Sequence, residues 1–325
     1  MRILSHASFG DPADVLHPAE AEAPAPAAGE ALVRLVLSPI HNHDVLTVKG
    51  VYGFKPELPA GAGTEALGVV EALGEGVTGL SVGQRVVIGG RFGAWAELFT
   101  APAAGLLPVP DAITDEAAAQ LVSMPFSALS LLDSLGLEAG DWLVIDGANG
   151  AVGRLVAQFA RARGIHALGV VRREAGVAEL AAQGIETVVS TETEGWRERA
   201  LEITGGAPIK AAVDQIGGDI AGELVTLLAQ GGTLVVFGAM AGRTMPIPSS
   251  DVIFKELTVR GFWGSKVSTA MDPAHKRELM GEIFARVAAG EVTLPTAGVF
   301  SFDELPAALS LQETPGRTGK VLLRP

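Results

Sequence analysis

A chain of 325 residues, 48% hydrophobic and only 19% charged, is long enough for two buried cores and too apolar for intrinsic disorder. Its formal net charge of −13 repels phosphate backbones, which argues against a nucleic-acid partner, although local basic residues and helix N-termini can still hold an anionic ligand. The absence of cysteine excludes a disulfide framework, a thiol nucleophile and Cys-ligated zinc.

The start, MRILSHASFGDP, is broken early by His6, Gly10 and Pro12 and lacks the apolar core of a signal peptide. No stretch approaches the roughly 18 apolar residues of a membrane helix. These features predict a soluble, cytoplasmic protein with no membrane partner. EAEAPAPAAGE (residues 20–30) reads as a surface connection between two early strands. ALVRLVLSPI (residues 31–40) alternates branched apolar residues with others and stops at a proline, as a strand does. EALGVVEALGEGV (65–77), QRVVIGG (84–90) and WAELFTAP (95–102) predict further short strands between glycine turns, hence a β-rich, barrel-like domain. In TDEAAAQLVSMPFSALSLLDSLG (114–136), Thr114 is an N-cap candidate before acidic residues, and Pro125 is expected to break or kink the segment, giving two helices.

From there strands and helices alternate. DWLVIDGA, HALGVVRR, ETVVSTET, KAAVDQIGG and GGTLVVFGAM predict strands, and the helices AVGRLVAQFARARG, GVAELAAQG, WRERALEIT and DIAGELVTLLAQ lie between them. This alternation predicts an α/β, doubly wound parallel sheet with right-handed crossovers. ELTVRGFWG through KVLLRP adds strand-like ends around the helix HKRELMGEIFARVAAG.

Three features carry chemistry. GANGAVG (147–153) joins a buried strand directly to a helix. Gly150 and Gly153 fall where a backbone must approach a pyrophosphate, and the helix N-terminus supplies amide donors and partial positive charge. In NAD-binding folds an acidic residue about 20 positions after the glycines pairs with the ribose hydroxyls. Arg172 and Arg173 fill that slot here, with Glu174 just after. Guanidinium groups fit a 2′-phosphate, so NADPH is favoured over NADH, while Glu174 keeps a ribose contact open. Third, Tyr52 is the only tyrosine of the chain, in the Gly-rich segment KGVYGFKPELPAGAGTE (49–65). A phenol is a hydrogen-bond donor and a weak acid, protonated at neutral pH.

Other chemistries fit less well. His41 and His43 flank Asn42 in SPIHNHD. On an extended strand alternate residues point to opposite faces, and no third ligand lies nearby, so they read as hydrogen-bonding histidines rather than a metal site. There is no GxSxG elbow, and the strand-to-helix turn carries a nucleotide loop instead of a nucleophile.

Over nearly its whole length the chain resembles the zinc-independent part of the medium-chain dehydrogenase/reductase superfamily, and within it the 2-enoyl thioester (trans-2-enoyl-CoA) reductases. The segments that carry the resemblance are SPIHNHDVLTVKGVYGFKPELPAGAGTEALGVV, VTGLSVGQRVV, GANGAVG, VVRRE, GGTLVVFGAM and ELTVRGFWGS. Quinone oxidoreductases share most of the nucleotide segments, whereas GVYG-xx-PELP and RGFW are more particular to the thioester reductases. The resemblance implies a Rossmann domain over residues 121–261 that binds NADPH. It also implies a GroES-like catalytic domain over 1–120 that resumes over 262–325. Tyr52 then matches the catalytic tyrosine, and Asn149, Gly150, Ala151, Val152 and Gly153 the pyrophosphate loop. Arg172 and Arg173 match the grip on the 2′-phosphate, and Phe237, Gly238, Ala239 and Met240 the nicotinamide half. Phe262, Trp263 and Gly264 match a strand closing the active site, the first two also lining the substrate pocket. Lys320 matches a late lysine near the cofactor.

In metal-dependent relatives the ligand positions fall near His41, Thr64 and Met124 or Pro125, of which only His41 could ligate strongly, so no metal is expected. One departure is Met124 in VSMPFS, where the thioester reductases place an asparagine; a polar cofactor contact is lost and the substrate is left open. No transit peptide precedes the first strand, as in a bacterial cytosolic relative. ELTVRGFWG resembles the edge strand through which the family forms homodimers.

The activity implied is hydride transfer from NADPH to the β-carbon of an α,β-unsaturated thioester or carbonyl, with Tyr52 stabilising the enolate and donating the proton. Two alternatives stay open. One is an NADPH:quinone oxidoreductase, and the other a non-catalytic NADPH-binding protein.

Overall fold

In the computed structural model, which describes residues 1–242 and 244–325, the chain divides into two units, Met1–Ser123 with Phe284–Pro325, and Met124–Ile283. The first unit is built on the long strand Glu30–Pro39, whose inward positions Ala31, Val33 and Leu35 are buried. It pairs antiparallel with Glu65–Leu73 on one side, and with Leu98–Pro102 and the final strand Lys320–Arg324 on the other. Thr296–Ser301, Arg85–Gly89 and Leu107–Pro108 complete a seven-stranded sheet. Arg2–His6, His17–Glu20 and Ala60–Gly61 form a smaller one. Residues 21–29, the expected surface connection, link two of these strands.

The core of this unit gathers Leu4, Ile40, Trp95, Phe99 and Phe302, all nearly inaccessible. Gly63 lies against the Trp95 indole with φ +85°, and a Cβ there would stand 2.3 Å from the ring. Only glycine permits both the conformation and the approach. The next two residues, Thr64 and Glu65, are thereby delivered to the site described below.

The second unit is a six-stranded, wholly parallel sheet. From edge to edge its strands are Val188–Ser190, His166–Val171, Trp142–Ile145, Ile209–Asp214, Leu228–Val236 and Thr258–Gly261. The first three run against chain order and the last three with it, which is the doubly wound arrangement with its reversal at Trp142–Ile145. The strands Trp142–Ile145, His166–Val171 and Ile209–Asp214 are nearly continuous buried runs, as a sheet buried on both faces requires. Ala151–Ala162 is one of these helices and buries nine residues. Gly164, with φ +71°, ends it as expected. Two ion pairs from Arg163, to Asp133 at 3.1 Å and Glu282 at 2.7 Å, fasten the helix Pro273–Ala288 to this unit, and the chain re-enters the first unit at Phe284.

One expectation needs correction. Thr114 does cap a short helix, accepting the Ala117 N–H at 3.3 Å, and a second helix follows. The interruption falls at residues 119–122, however, and Pro125 sits inside the first turn of Ser123–Asp133. There its missing N–H would have had no intrahelical acceptor, so it costs nothing and breaks nothing.

Candidate active site

In the first unit the strand stops at Pro39, and His41 becomes the N-cap of the helix Asn42–Val48. The Asp44 carboxylate accepts the His41 backbone N–H at 2.9 Å. The backbone is therefore not extended through SPIHNHD, and His41 and His43 do not face apart as an extended strand would require. Their rings stack at 4.9 Å with 19° between planes. Pro39 ends the ladder and the Asp44 cap starts a helix, which overrides the strand-like reading.

Around these rings runs a buried polar network. His41 Nε2 lies 2.6 Å from Glu65 Oε2, both side chains wholly inaccessible. The other Glu65 oxygen accepts the N–H groups of Val122 at 2.6 Å and Ser123 at 3.0 Å. Burial raises Glu65 to about 7, against those amides and the Lys320 charge, which act to lower it. Burial, then the Lys320 and His43 charges, holds His41 well below the ordinary imidazole range, so it is neutral. Lys320 is buried in this unit and acts on both partners. Beside them, His43 Nε2 lies 2.7 Å from Thr64 Oγ1, whose hydroxyl donates to Asp44 Oδ1 at 2.7 Å.

Tyr52 reaches this network through the helix end. Gly50 has φ +71°, and its N–H and that of Tyr52 bond back to Thr47 and Leu46 carbonyls. The chain thus folds back and sets the Tyr52 ring 5.9 Å from that of His43, tilted by 33°. Tyr52 is half-buried, and its hydroxyl makes no hydrogen bond among the described residues.

In the second unit four of the sequence segments follow directly on the carboxyl ends of parallel strands. Residues 147–153 follow Trp142–Ile145, 172–173 follow His166–Val171, 237–240 follow Leu228–Val236, and 262–264 follow Thr258–Gly261. Ligands bind at this end of a doubly wound sheet. Gly150 N donates to Gly147 O at 2.7 Å, closing the turn through Asn149. A Cβ on Gly153 would stand 2.6 Å from Gly147 O, so the helix starts flush on its own loop. The N–H groups of Ala151, Val152 and Gly153 have no intrahelical acceptor, and free amides at a helix N-terminus suit an anionic group.

The exposed Arg172 makes no side-chain hydrogen bond or ion pair among the described residues, and Arg173 pairs with Glu179 at 3.4 Å. Glu174 is engaged by Thr193, whose hydroxyl donates to it at 2.7 Å. Phe237 and Gly238 donate to the Asp214 carbonyl, while Ala239 and Met240 are exposed. Phe262 is buried, its ring 6.0 Å from Phe237, whereas Trp263 is 42% exposed with Lys266 Nζ 4.9 Å over its face. Gly264 packs on Ser127, and Met124 is half-buried.

Beneath the glycine loop lies a carboxyl pair that sequence reading missed. Asp146 Oδ1 accepts the Gln215 N–H at 2.6 Å, and Asp214 Oδ1 accepts those of Ile216 and Gly217 at 3.0 and 2.7 Å. Neither Oδ2 has a donor. Burial first, and the neighbouring Asp214 carboxyl second, raise Asp146 to about 8, so Asp146 is held protonated. Glu65, Asp44, Asp146 and Asp214 left one common trace in the sequence. Each is a carboxylate inside or beside an apolar run, where burial demands a partner.

Zinc does not fit the first unit. Among the described residues no three His, Asp or Glu side chains converge as a ligand set, and His41 Nε2 is taken by Glu65.

The family description "Alcohol dehydrogenase GroES-like domain" matches residues 27–111, and "Zinc-binding dehydrogenase" matches 151–279. The mitochondrial enoyl-[acyl-carrier-protein] reductase of Homo sapiens is 32% identical over 330 residues, covering 99% of this chain and 88% of that protein. The same-named protein of Dictyostelium discoideum is 32% identical over 304 residues, covering 90% and 86%. The crystal structure of Escherichia coli quinone oxidoreductase complexed with NADPH superimposes with a TM-score of 0.89 at 26% identity, over 100% of both chains. The β-rich first unit is accordingly GroES-like.

Proposed function

This chain belongs to the medium-chain dehydrogenase/reductase family, and from that premise we propose that it reduces α,β-unsaturated thioesters or carbonyls with NADPH, using Tyr52 as the proton donor. The observation that carries the reading is the Tyr52 hydroxyl, held beside the buried histidine network yet without a hydrogen-bond partner among the described residues. The enoyl reductase relatives at 32% identity support the same substrate class.

Residues 149–153 would hold the pyrophosphate, Arg172 and Arg173 the 2′-phosphate, and 237–240 with 262–264 the nicotinamide half. Lys320, which sits with His41 and Glu65, would contribute its positive charge from the first unit. When bound, NADPH supplies the hydride that adds to the β-carbon. The protein then has to stabilise negative charge on the substrate carbonyl and deliver a proton to the α-carbon. Tyr52 does both, first donating a hydrogen bond to the enolate oxygen and then its proton to carbon. Phe262 and Trp263 would supply apolar contacts to the substrate.

The reading is tested by NADPH absorbance decay with crotonyl thioester, with a quinone and with neither. Thioester-dependent oxidation is expected. A second reading, NADPH:quinone oxidoreductase, is favoured by the Escherichia coli structure and requires oxidation with the quinone alone. Tight NADPH binding without turnover of either would leave a non-catalytic binder. We further propose a cytoplasmic homodimer; among the described residues no helix is long and apolar enough to cross a membrane.

A further inference from the structure

We propose that His43 resupplies the proton that Tyr52 spends in each turnover, a role that rests on the enoyl reductase reading above. The geometry fixes which nitrogen is available. Thr64 has a single hydroxyl hydrogen, and it is donated to Asp44 Oδ1 at 2.7 Å. The contact between His43 Nε2 and Thr64 Oγ1, also 2.7 Å, therefore needs its proton on the imidazole. Neutral His43 is thus the Nε2–H tautomer, and Nδ1 is the atom that can take up and release a proton. Nδ1 makes no hydrogen bond among the described residues.

The ring's surroundings suit that task. On one face His43 stacks on His41, and the Tyr52 ring approaches at 5.9 Å. The His43 side chain is 22% exposed, while Asp44, which anchors the chain, is inaccessible. His43 therefore has access to solvent, the Thr64–Asp44 anchor fixes its orientation, and its phenolic neighbour changes charge during the reaction.

The proton balance closes. Reduction of the double bond consumes a hydride from NADPH and a proton from the Tyr52 O–H bond, leaving a phenolate. The Nδ1–H bond of the His43 imidazolium breaks as the phenol O–H bond re-forms, directly or through one water. The imidazole then takes a proton from bulk water. Per turnover one proton enters from solvent, NADPH is oxidised and the alkene is reduced. Thr64 and Asp44 stay bonded throughout and position the ring.

The test compares His43→Ala and His43→Gln with wild type in rapid-mixing and steady-state assays on crotonyl thioester. One fast turnover per site followed by a steady state slowed about 10²-fold is expected, because Tyr52 starts protonated and only its recharging is impaired. Added imidazole should restore steady-state turnover in His43→Ala. Thr64→Val should show a smaller burst of the same kind. Nitrogen-15 NMR of the ligand-free wild type should report the Nε2–H tautomer for His43 and its loss of preference in Thr64→Val. Unchanged steady-state turnover, or a uniform loss without burst or rescue, overturns the proposal, as does an Nδ1–H tautomer. These outcomes leave the enoyl reductase reading intact provided wild type turns over. A wild type inert toward enoyl thioesters sinks both.

Discussion

A single oxygen atom separates the competing roles of Tyr52. Tyr52→Phe keeps the ring beside His43 and removes the donor, so kcat on enoyl thioesters should fall about 10²- to 10⁴-fold while NADPH affinity, followed by fluorescence titration, stays near wild type. Lost NADPH binding would instead make Tyr52 a cofactor contact. Gly63 acts at the same scale through packing. Gly63→Ala would force φ +85° on an alanine and drive its Cβ into the Trp95 ring, and chemical denaturation should register a loss of about 2–4 kcal/mol. Tyr52 was legible in the sequence because it is unique and lies between glycines. The structure shows that Gly50 does the turning, while Gly53 keeps an ordinary φ. The relation of His43 to its neighbours was not legible. It depends on Pro39 ending a strand and Asp44 starting a helix, a local competition that alternation of residue types does not reveal.

At the scale of elements, the parallel sheet was legible because strand and helix periods alternate for over a hundred residues, and its loops fall at one end by construction. What sequence order hides is which strand tips become neighbours. Asp146 and Asp214 are 68 positions apart and meet only because their strands pair directly. Asp146 has its folded pKa raised from 3.8 to about 8. Its contribution is fully present below pH about 3.8 and is lost as pH rises toward about 8, where the folded state must give up the Asp146 proton. Asp146→Asn keeps an acceptor for Gln215 and offers Asp214 a neutral donor, so at pH 8 its Tm should exceed that of wild type by a few degrees, with the difference shrinking toward pH 5. Calorimetry across that range checks the sign, and a wild-type Tm that rose from pH 5 to 8 relative to the variant would contradict a raised Asp146. The loop after the neighbouring strand gives an independent handle. Replacing both Arg172 and Arg173 by Ala should weaken NADPH by a few kcal/mol and NADH far less, because only the former offers a 2′-phosphate. Equal losses for the two cofactors would remove the arginines from the adenosine site.

For the whole molecule the decisive quantities are an unfinished sheet and a large negative charge. Thr258–Gly261 pairs with Leu228–Val236 on one side and, among the described residues, has no strand on its other. Beside this edge Val259 is 40% exposed, and Ile253 and Phe254 of the preceding helix are 64% and 77% exposed. An open edge flanked by apolar side chains favours antiparallel pairing with a second copy across a two-fold axis, which would join two six-stranded sheets into one. Opposing this, each chain carries −13, and like charges repel most strongly when little salt screens them. The contact gains from burial, which salt does not screen, so the expected association tightens as ionic strength rises from about 10 to 150 mM. Sedimentation equilibrium at micromolar protein should give twice the 33.4 kDa chain mass. Val259→Asp, which plants another negative charge on the edge, should shift the mass to one chain without disturbing NADPH binding, since it lies outside residues 262–264. A single-chain mass for wild type at every salt concentration, including where the charge is screened, would mean that no second copy pairs with this edge.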